Sequence, residues 1–177
     1  MEQRLWMILQ LFGGAALFLY SMDTLTDALQ QAAGNTLRQA LARLTAHPLA
    51  GVLTGAAVTA VVQSSSAVTV LVLGLVGAGL LTLQRAVPVV FGANIGTTVT
   101  AVLASIGQSR DTKRAAAAHA LFNLTGAAAF CALLPWYAGL VAMISPKGPE
   151  LEVIARQLAN AHTLFNLICT AVWLPLT

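Results

Sequence analysis

Apolar residues run along this chain in long blocks, interrupted by a few short polar segments. Charges are confined to Glu2–Arg4, Asp23–Arg43, Arg85, Arg110–Arg114 and Lys147–Arg156, which leaves residues 5–22, 44–84, 86–109, 115–146 and 157–177 charge-free. A helix needs about 20 apolar residues to cross the hydrocarbon core of a bilayer. Four of the stretches are therefore one crossing long or slightly more, and 44–84 is about two.

The pattern within the blocks refines this into an all-α membrane protein with four spans, one re-entrant hairpin and an interfacial helix pair. Residues 1–22 form the first span, with a Gly13-Gly14 pair where another helix can approach closely. No small-residue cleavage pattern follows Leu5–Tyr20, so this run reads as a retained helix and not a signal peptide. Over 23–47, Leu25, Leu29, Leu37, Leu41 and Leu44 recur at helical spacing among polar residues. That is an amphipathic pair of helices lying at the interface, broken near Gly34-Asn35. Residues 48–82 read as the hairpin: 49–62 enters, Gln63-Ser64-Ser65-Ser66 turns at depth, and 67–81 returns. Further spans are expected over 86–107, 115–144 and 155–176.

Composition agrees and excludes much else. Hydrophobic residues make up 58% and charged residues 8% of the 177, against about 25% charged in soluble domains. A water-soluble enzyme, a disordered chain and a collagen-like chain are excluded. The net charge of +3 comes from basic residues in short loops, where membrane topology explains them better than nucleic acid does. Cys131 and Cys169 fall inside apolar stretches and read as small hydrophobes, with no disulfide or metal role.

The chemistry lies in the polar islands. Four consecutive polar residues, Gln63 to Ser66, are costly in lipid, and unwound backbone at that depth survives only inside protein or a wet cavity. Serine hydroxyls and the free N–H groups of a following helix can hold phosphate or carboxylate without Arg or Lys. Hydroxyls and released carbonyls can coordinate a hard cation such as sodium. A second island, Gly92-Ala93-Asn94-Ile95-Gly96-Thr97-Thr98, implies either tight helix packing or a broken helix. A third feature is an echo: Ala118-His119-Ala120-Leu121-Phe122-Asn123-Leu124 recurs as Ala161-His162-Thr163-Leu164-Phe165-Asn166-Leu167, six of seven positions matching. In each copy His and Asn share a helix face, and the histidines are expected to orient Asn123 and Asn166 in the core. An intramembrane serine hydrolase is disfavoured. There is no G-x-S-x-G turn, three adjacent serines give no unique nucleophile, and every carboxylate lies outside the spans.

The QSSS run, the G-x-N-I-G-T-T segment and Ala118-His119-x-Leu121-Phe122-Asn123 resemble the type II sodium–phosphate cotransporter family, from about Leu11 to the end of the chain. The resemblance implies sodium-driven uptake of inorganic phosphate through an inverted-repeat fold in the cell membrane, with sodium as coupling ion and no cofactor. It implies a phosphate site of Ser64, Ser65, Ser66 and Asn94, and sodium ligands Gln63, Ser65, Thr97 and Thr98. His119, Asn123, His162 and Asn166 would support them. The absence of acidic residues from the spans argues against a carboxylate proton relay.

Members of that family normally carry two QSSS runs, and this chain has one. It is thus a half-size member or a fragment. With the hairpin returning to its own side, Arg4, Arg110, Lys113 and Arg114 share one face and Arg38, Arg43, Arg85, Lys147 and Arg156 the other. That near balance lets a chain insert both ways and pair antiparallel with itself, rebuilding the inverted repeat as a homodimer. The alternatives are a sodium-independent anion channel or facilitator, and a non-transporting subunit.

Overall fold

The computed structural model describes residues 2–32 and 35–176, and all their regular elements are helical. The order is α1 (Glu2–Ala32), α2 (Asn35–Leu44), α3 (Pro48–Val62), α4 (Ser65–Gly77), α5 (Leu83–Ser105), α6 (Arg110–Ala132), α7 (Leu134–Ile144) and α8 (Glu150–Trp173), closed by a 3-10 turn at Leu174–Leu176.

The first helix is longer than its apolar block. α1 runs through the Met22–Asp23 boundary without a break, so the first limb of the amphipathic segment is its C-terminal third. A change from lipid-compatible to polar residues alters what a helix faces and need not interrupt its hydrogen bonds. Ser21 and Thr24 fit in by donating to the carbonyls of Leu17 and Tyr20. Of the break expected at Gly34-Asn35, Gly34 lies outside the described residues and Asn35 opens α2. Among the described residues, nothing elsewhere in the chain comes within 4 Å of a Cβ built at Gly13 or Gly14.

α3 starts where sequence chemistry permits: Pro48 occupies the first turn, and the His47 ring accepts from the Leu49 N–H at 3.2 Å. α3 and α4 have 15 and 13 residues. At 1.5 Å per residue they reach about 22 and 20 Å, short of the roughly 30 Å hydrocarbon core.

α5 lies along α3 in the same direction, and glycines make the pairing possible. Gly51 and Gly55 on α3 and Gly92 and Gly96 on α5 line the shared face, Gly51 against Pro88 and Gly96 against Ala56 and Thr59. A Cβ at Gly55 would sit 1.9 Å from the Val89 carbonyl oxygen, and one at Gly92 would sit 2.0 Å from that of Val52. Backbone therefore touches backbone, the small-xxx-small packing found between membrane helices. Of the two readings open for Gly92–Thr98, α5 realises the packed one: it is unbroken from Leu83 to Ser105.

On its other side α5 inserts Phe91 into an aromatic cluster drawn from three further helices. Phe91 stacks on Phe165 of α8 with centroids 4.6 Å apart, and Phe130 of α6 meets Tyr137 of α7 at 4.6 Å. The Tyr137 hydroxyl donates to the Ala161 carbonyl, which satisfies a polar atom buried in this core.

Residues 115–144, expected as one span, are divided between α6 and α7 at Leu133. Pro135 supplies the reason: it has no N–H to donate, and its ring would clash with a helical carbonyl four residues back. Among the described residues, three helices are long and apolar enough to cross a membrane: Gln3–Ser21 within α1, Leu83–Ser105 and Arg110–Ala132. α8 has 24 residues, but Glu150, Glu152, Arg156 and its Gln, Asn and His residues hold its hydropathy below theirs.

Candidate functional site

The QSSS run forms a tight link between two helices. Gln63 takes a left-handed conformation, φ 60°, and its N–H caps α3 by donating to the Thr59 carbonyl at 2.7 Å. Ser64 is extended and caps α4, its hydroxyl oxygen accepting from the Ala67 N–H at 3.2 Å. The Val68 N–H reaches the Ser64 carbonyl, so the amides of Ser65 and Ser66 are the donors left at this helix start. Unwinding is thus confined to Gln63 and Ser64; Ser65 and Ser66 already belong to the first turn of α4. Their hydroxyls have no hydrogen-bond partner among the described residues. Ser64 and Ser65 are half-buried, Gln63 and Ser66 exposed.

The Gln63 carboxamide joins the tip to the second island. Its Nε2 donates to the Ala60 carbonyl, and its Oε1 accepts from the Thr100 hydroxyl. Thr100 was not singled out in the sequence, although a signal existed: residues 92, 96 and 100 recur every fourth position and share the face that meets α3. Thr100→Val removes the donor and keeps the shape. It is expected to cost about 1 kcal/mol of stability, to be checked by thermal unfolding in detergent. An unchanged midpoint would show that water replaces the bond.

Thr97 and Thr98 bond within the helix, donating to the carbonyls of Asn94 and Ile95 at 2.6 and 2.7 Å. α5 therefore exposes no unwound carbonyl at this island. Asn94 is 8% exposed, and its Oδ1 lies 3.1 Å from Nε2 of His162 on α8. Its Nδ2 is buried without a partner. The Thr59 hydroxyl, 0% exposed on α3, is likewise unpartnered.

The two His-x-x-x-Asn copies share one local bond and then diverge. The Asn123 amide donates to the His119 carbonyl at 3.0 Å, and the Asn166 amide to the His162 carbonyl at 2.9 Å. Each asparagine is thus held by the histidine's backbone and not by its ring. The His162 ring reaches Asn94, whereas His119 is exposed on α6. The copies also pack differently, Phe165 in the aromatic core and Phe122 against Trp173. The structure thus links Gln63 to α5 through Thr100, and Asn94 to His162. Asn123 is buried on α6 and has no bond to either pair.

No charged residue belongs to this arrangement. The one ion pair among the described residues, Asp111–Arg114 at 3.6 Å, is exposed at the start of α6. The polar groups gathered here are hydroxyls, carboxamides and backbone amides.

Comparison with known proteins agrees with the residues. The family described as Na+/Pi-cotransporter matches residues 17–171. An uncharacterized protein of Bacillus subtilis (strain 168), YqeW, is 34% identical over 125 residues, 71% of this chain and 39% of that protein. Sodium-dependent phosphate transport protein 2A of Oryctolagus cuniculus is 37% identical over 115 residues, 60% of this chain and 18% of that protein. Sodium-dependent phosphate transport protein 2B of Homo sapiens is 36% identical over 124 residues, 66% of this chain and 18% of that protein. The chain thus spans between 18% and 39% of the length of these three relatives. No solved structure matches it. The family match takes in α3, α4 and α5 entire, with both polar islands and the Gly pairs between them, and on that ground the chain belongs to the Na+/Pi-cotransporter family.

Proposed function

We propose that this chain carries inorganic phosphate across the cell membrane coupled to sodium, as a multi-pass carrier and not an enzyme. One arrangement supports the reading above all others. A charge-free helix start, with the Ser65 and Ser66 amides unused, is tied through Gln63 and Thr100 to the helix that bears Asn94, Thr97 and Thr98. Phosphate would accept from those amides, from the Ser64, Ser65 and Ser66 hydroxyls and from the Asn94 carboxamide. Sodium needs lone pairs. Thr97 and Thr98 have spent their hydroxyl hydrogens on carbonyls, so their oxygens keep lone pairs for a cation, and Gln63 Oε1 and the Ser65 hydroxyl complete the set.

In this reading α3 and α4 are a re-entrant hairpin and α8 is a fourth span beside α1, α5 and α6. A second copy inserted the opposite way supplies the second tip, and transport proceeds by one half rocking against the other around the site. Labelled-phosphate uptake into proteoliposomes containing only this chain tests the function. Accumulation above equilibrium that requires an inward sodium gradient is expected; equilibration indifferent to sodium would make it a facilitator. Reporters fused to each terminus test the assembly. Both orientations should occur in comparable amounts, and a single orientation for all molecules would sink the antiparallel dimer.

A further inference from the structure

Asn94 is held at one end and free at the other. Its Oδ1 lies 3.1 Å from His162 Nε2, while its Nδ2 is buried with no partner in a residue 8% exposed. Buried polar groups are nearly always paired, and an unpaired donor costs about 1–3 kcal/mol. Besides the Thr59 hydroxyl on α3, a further buried orphan lies on a neighbouring helix. The Thr69 hydroxyl is unpartnered on α4, one turn beyond Ser65 on the same face. α4 packs against both α5 and α8, the helices that carry Asn94 and His162.

A carboxamide oxygen can only accept, so the contact requires a proton on His162 Nε2, which in the neutral ring leaves Nδ1 bare. With the oxygen held, the amide presents N–H groups to whatever meets its open end. A ring protonated on Nδ1 would reverse this: Nε2 would accept from the amide, and the open end would be a carbonyl, a ligand for a cation. We infer that His162 is a positioning residue that fixes the Asn94 carboxamide with its N–H groups toward the anion, and so favours phosphate over sodium at this position. The inference rests on the phosphate reading of the site, although its first test does not.

That first test is the tautomer, read from 15N chemical shifts of labelled histidine in wild-type protein in lipid, with His162→Gln assigning the resonance. A ring protonated on Nε2 is expected, and one protonated on Nδ1 overturns the inference whether or not the chain transports. The second is labelled-phosphate uptake as a function of phosphate and of sodium. His162→Leu is expected to raise half-saturating phosphate about tenfold, one strong hydrogen bond's worth, with half-saturating sodium unchanged. His162→Gln, which restores an N–H donor, should return within about threefold of wild type. Adding His162→Leu to Asn94→Ala should shift half-saturating phosphate no further, because the group being positioned is gone. A shift in sodium in place of phosphate, a glutamine variant no better than leucine, or additive effects with Asn94→Ala would each refute it. Loss of sodium-driven uptake in the wild type would refute the transport reading instead.

Discussion

Gly55→Leu is expected to abolish the folded state, the largest effect of any single substitution proposed for this chain. The Cβ alone would lie 1.9 Å from the Val89 carbonyl oxygen, 2.8 Å from its carbonyl carbon and 3.0 Å from the Ala93 nitrogen. All three are main-chain atoms of α5, so no side chain can swing aside and the two helices must part. Overpacking against movable side chains costs about 1–3 kcal/mol, and here the cost exceeds that range because a backbone must move. Separation would undo more than one contact. Gly92 and Gly96 lose their partners on the same seam, and Thr100 can no longer reach Gln63. Gly13→Leu is the matched control, since a Cβ there meets nothing within 4 Å among the described residues. Thermal unfolding of both variants in one detergent checks the contrast. A Gly55→Leu protein that melts like Gly13→Leu would mean that the α3–α5 seam is not formed as described.

The same seam shows how far the sequence was legible. Charge-free blocks marked where helices had to lie, because charge in lipid is costly whatever the tertiary structure. The polar run marked a helix break, but the break is shorter than the run: α3 stops at Val62 and α4 already starts at Ser65, so only Gln63 and Ser64 are unwound. Boundaries were less legible where local chemistry competed with hydropathy. α1 continues past Met22 because helical hydrogen bonds are indifferent to the medium outside, and 115–144 divides because Pro135 breaks a block that is uniformly apolar. The site's connections were the least legible. Thr100 meets Gln63 across 37 residues and His162 meets Asn94 across 68. Such pairings follow from which helices pack, and no local pattern specifies them. The echo between His119 and His162 was visible, but its two copies are unequal in the fold, and only the packing of α8 on α5 separates them.

Ser65→Ala is expected to eliminate most phosphate uptake while leaving the fold intact, and the structure makes this separation unusually clean. The Ser65 hydroxyl has no hydrogen-bond partner among the described residues, so removing it orphans nothing. The residue sits in the first turn of α4, where alanine is the better helix former by about 0.5 kcal/mol. Its amide, the other group offered to an anion, survives the change. Any loss of transport therefore reflects the hydroxyl's absence from the site and not a damaged hairpin. A hydrogen bond to a charged oxygen is worth about 1.5–3 kcal/mol, which corresponds to roughly a 10- to 150-fold loss of transport efficiency. Gln63 offers the complementary case. Its left-handed backbone disfavours any residue with a Cβ, so Gln63→Gly relieves strain of about 1 kcal/mol while two side-chain bonds are lost. Stability should fall by about 1 kcal/mol, no more than for Thr100→Val, whereas sodium-driven uptake falls at least tenfold as the carboxamide between Ala60 and Thr100 disappears. The two variants are compared by initial uptake rates per inserted molecule and by melting midpoint. Wild-type uptake in both, at unchanged stability, would remove the hairpin tip from the site. Lost uptake with a lowered midpoint in Ser65→Ala would show that its hydroxyl is structural, and the helix start would then have only its amides to offer an anion.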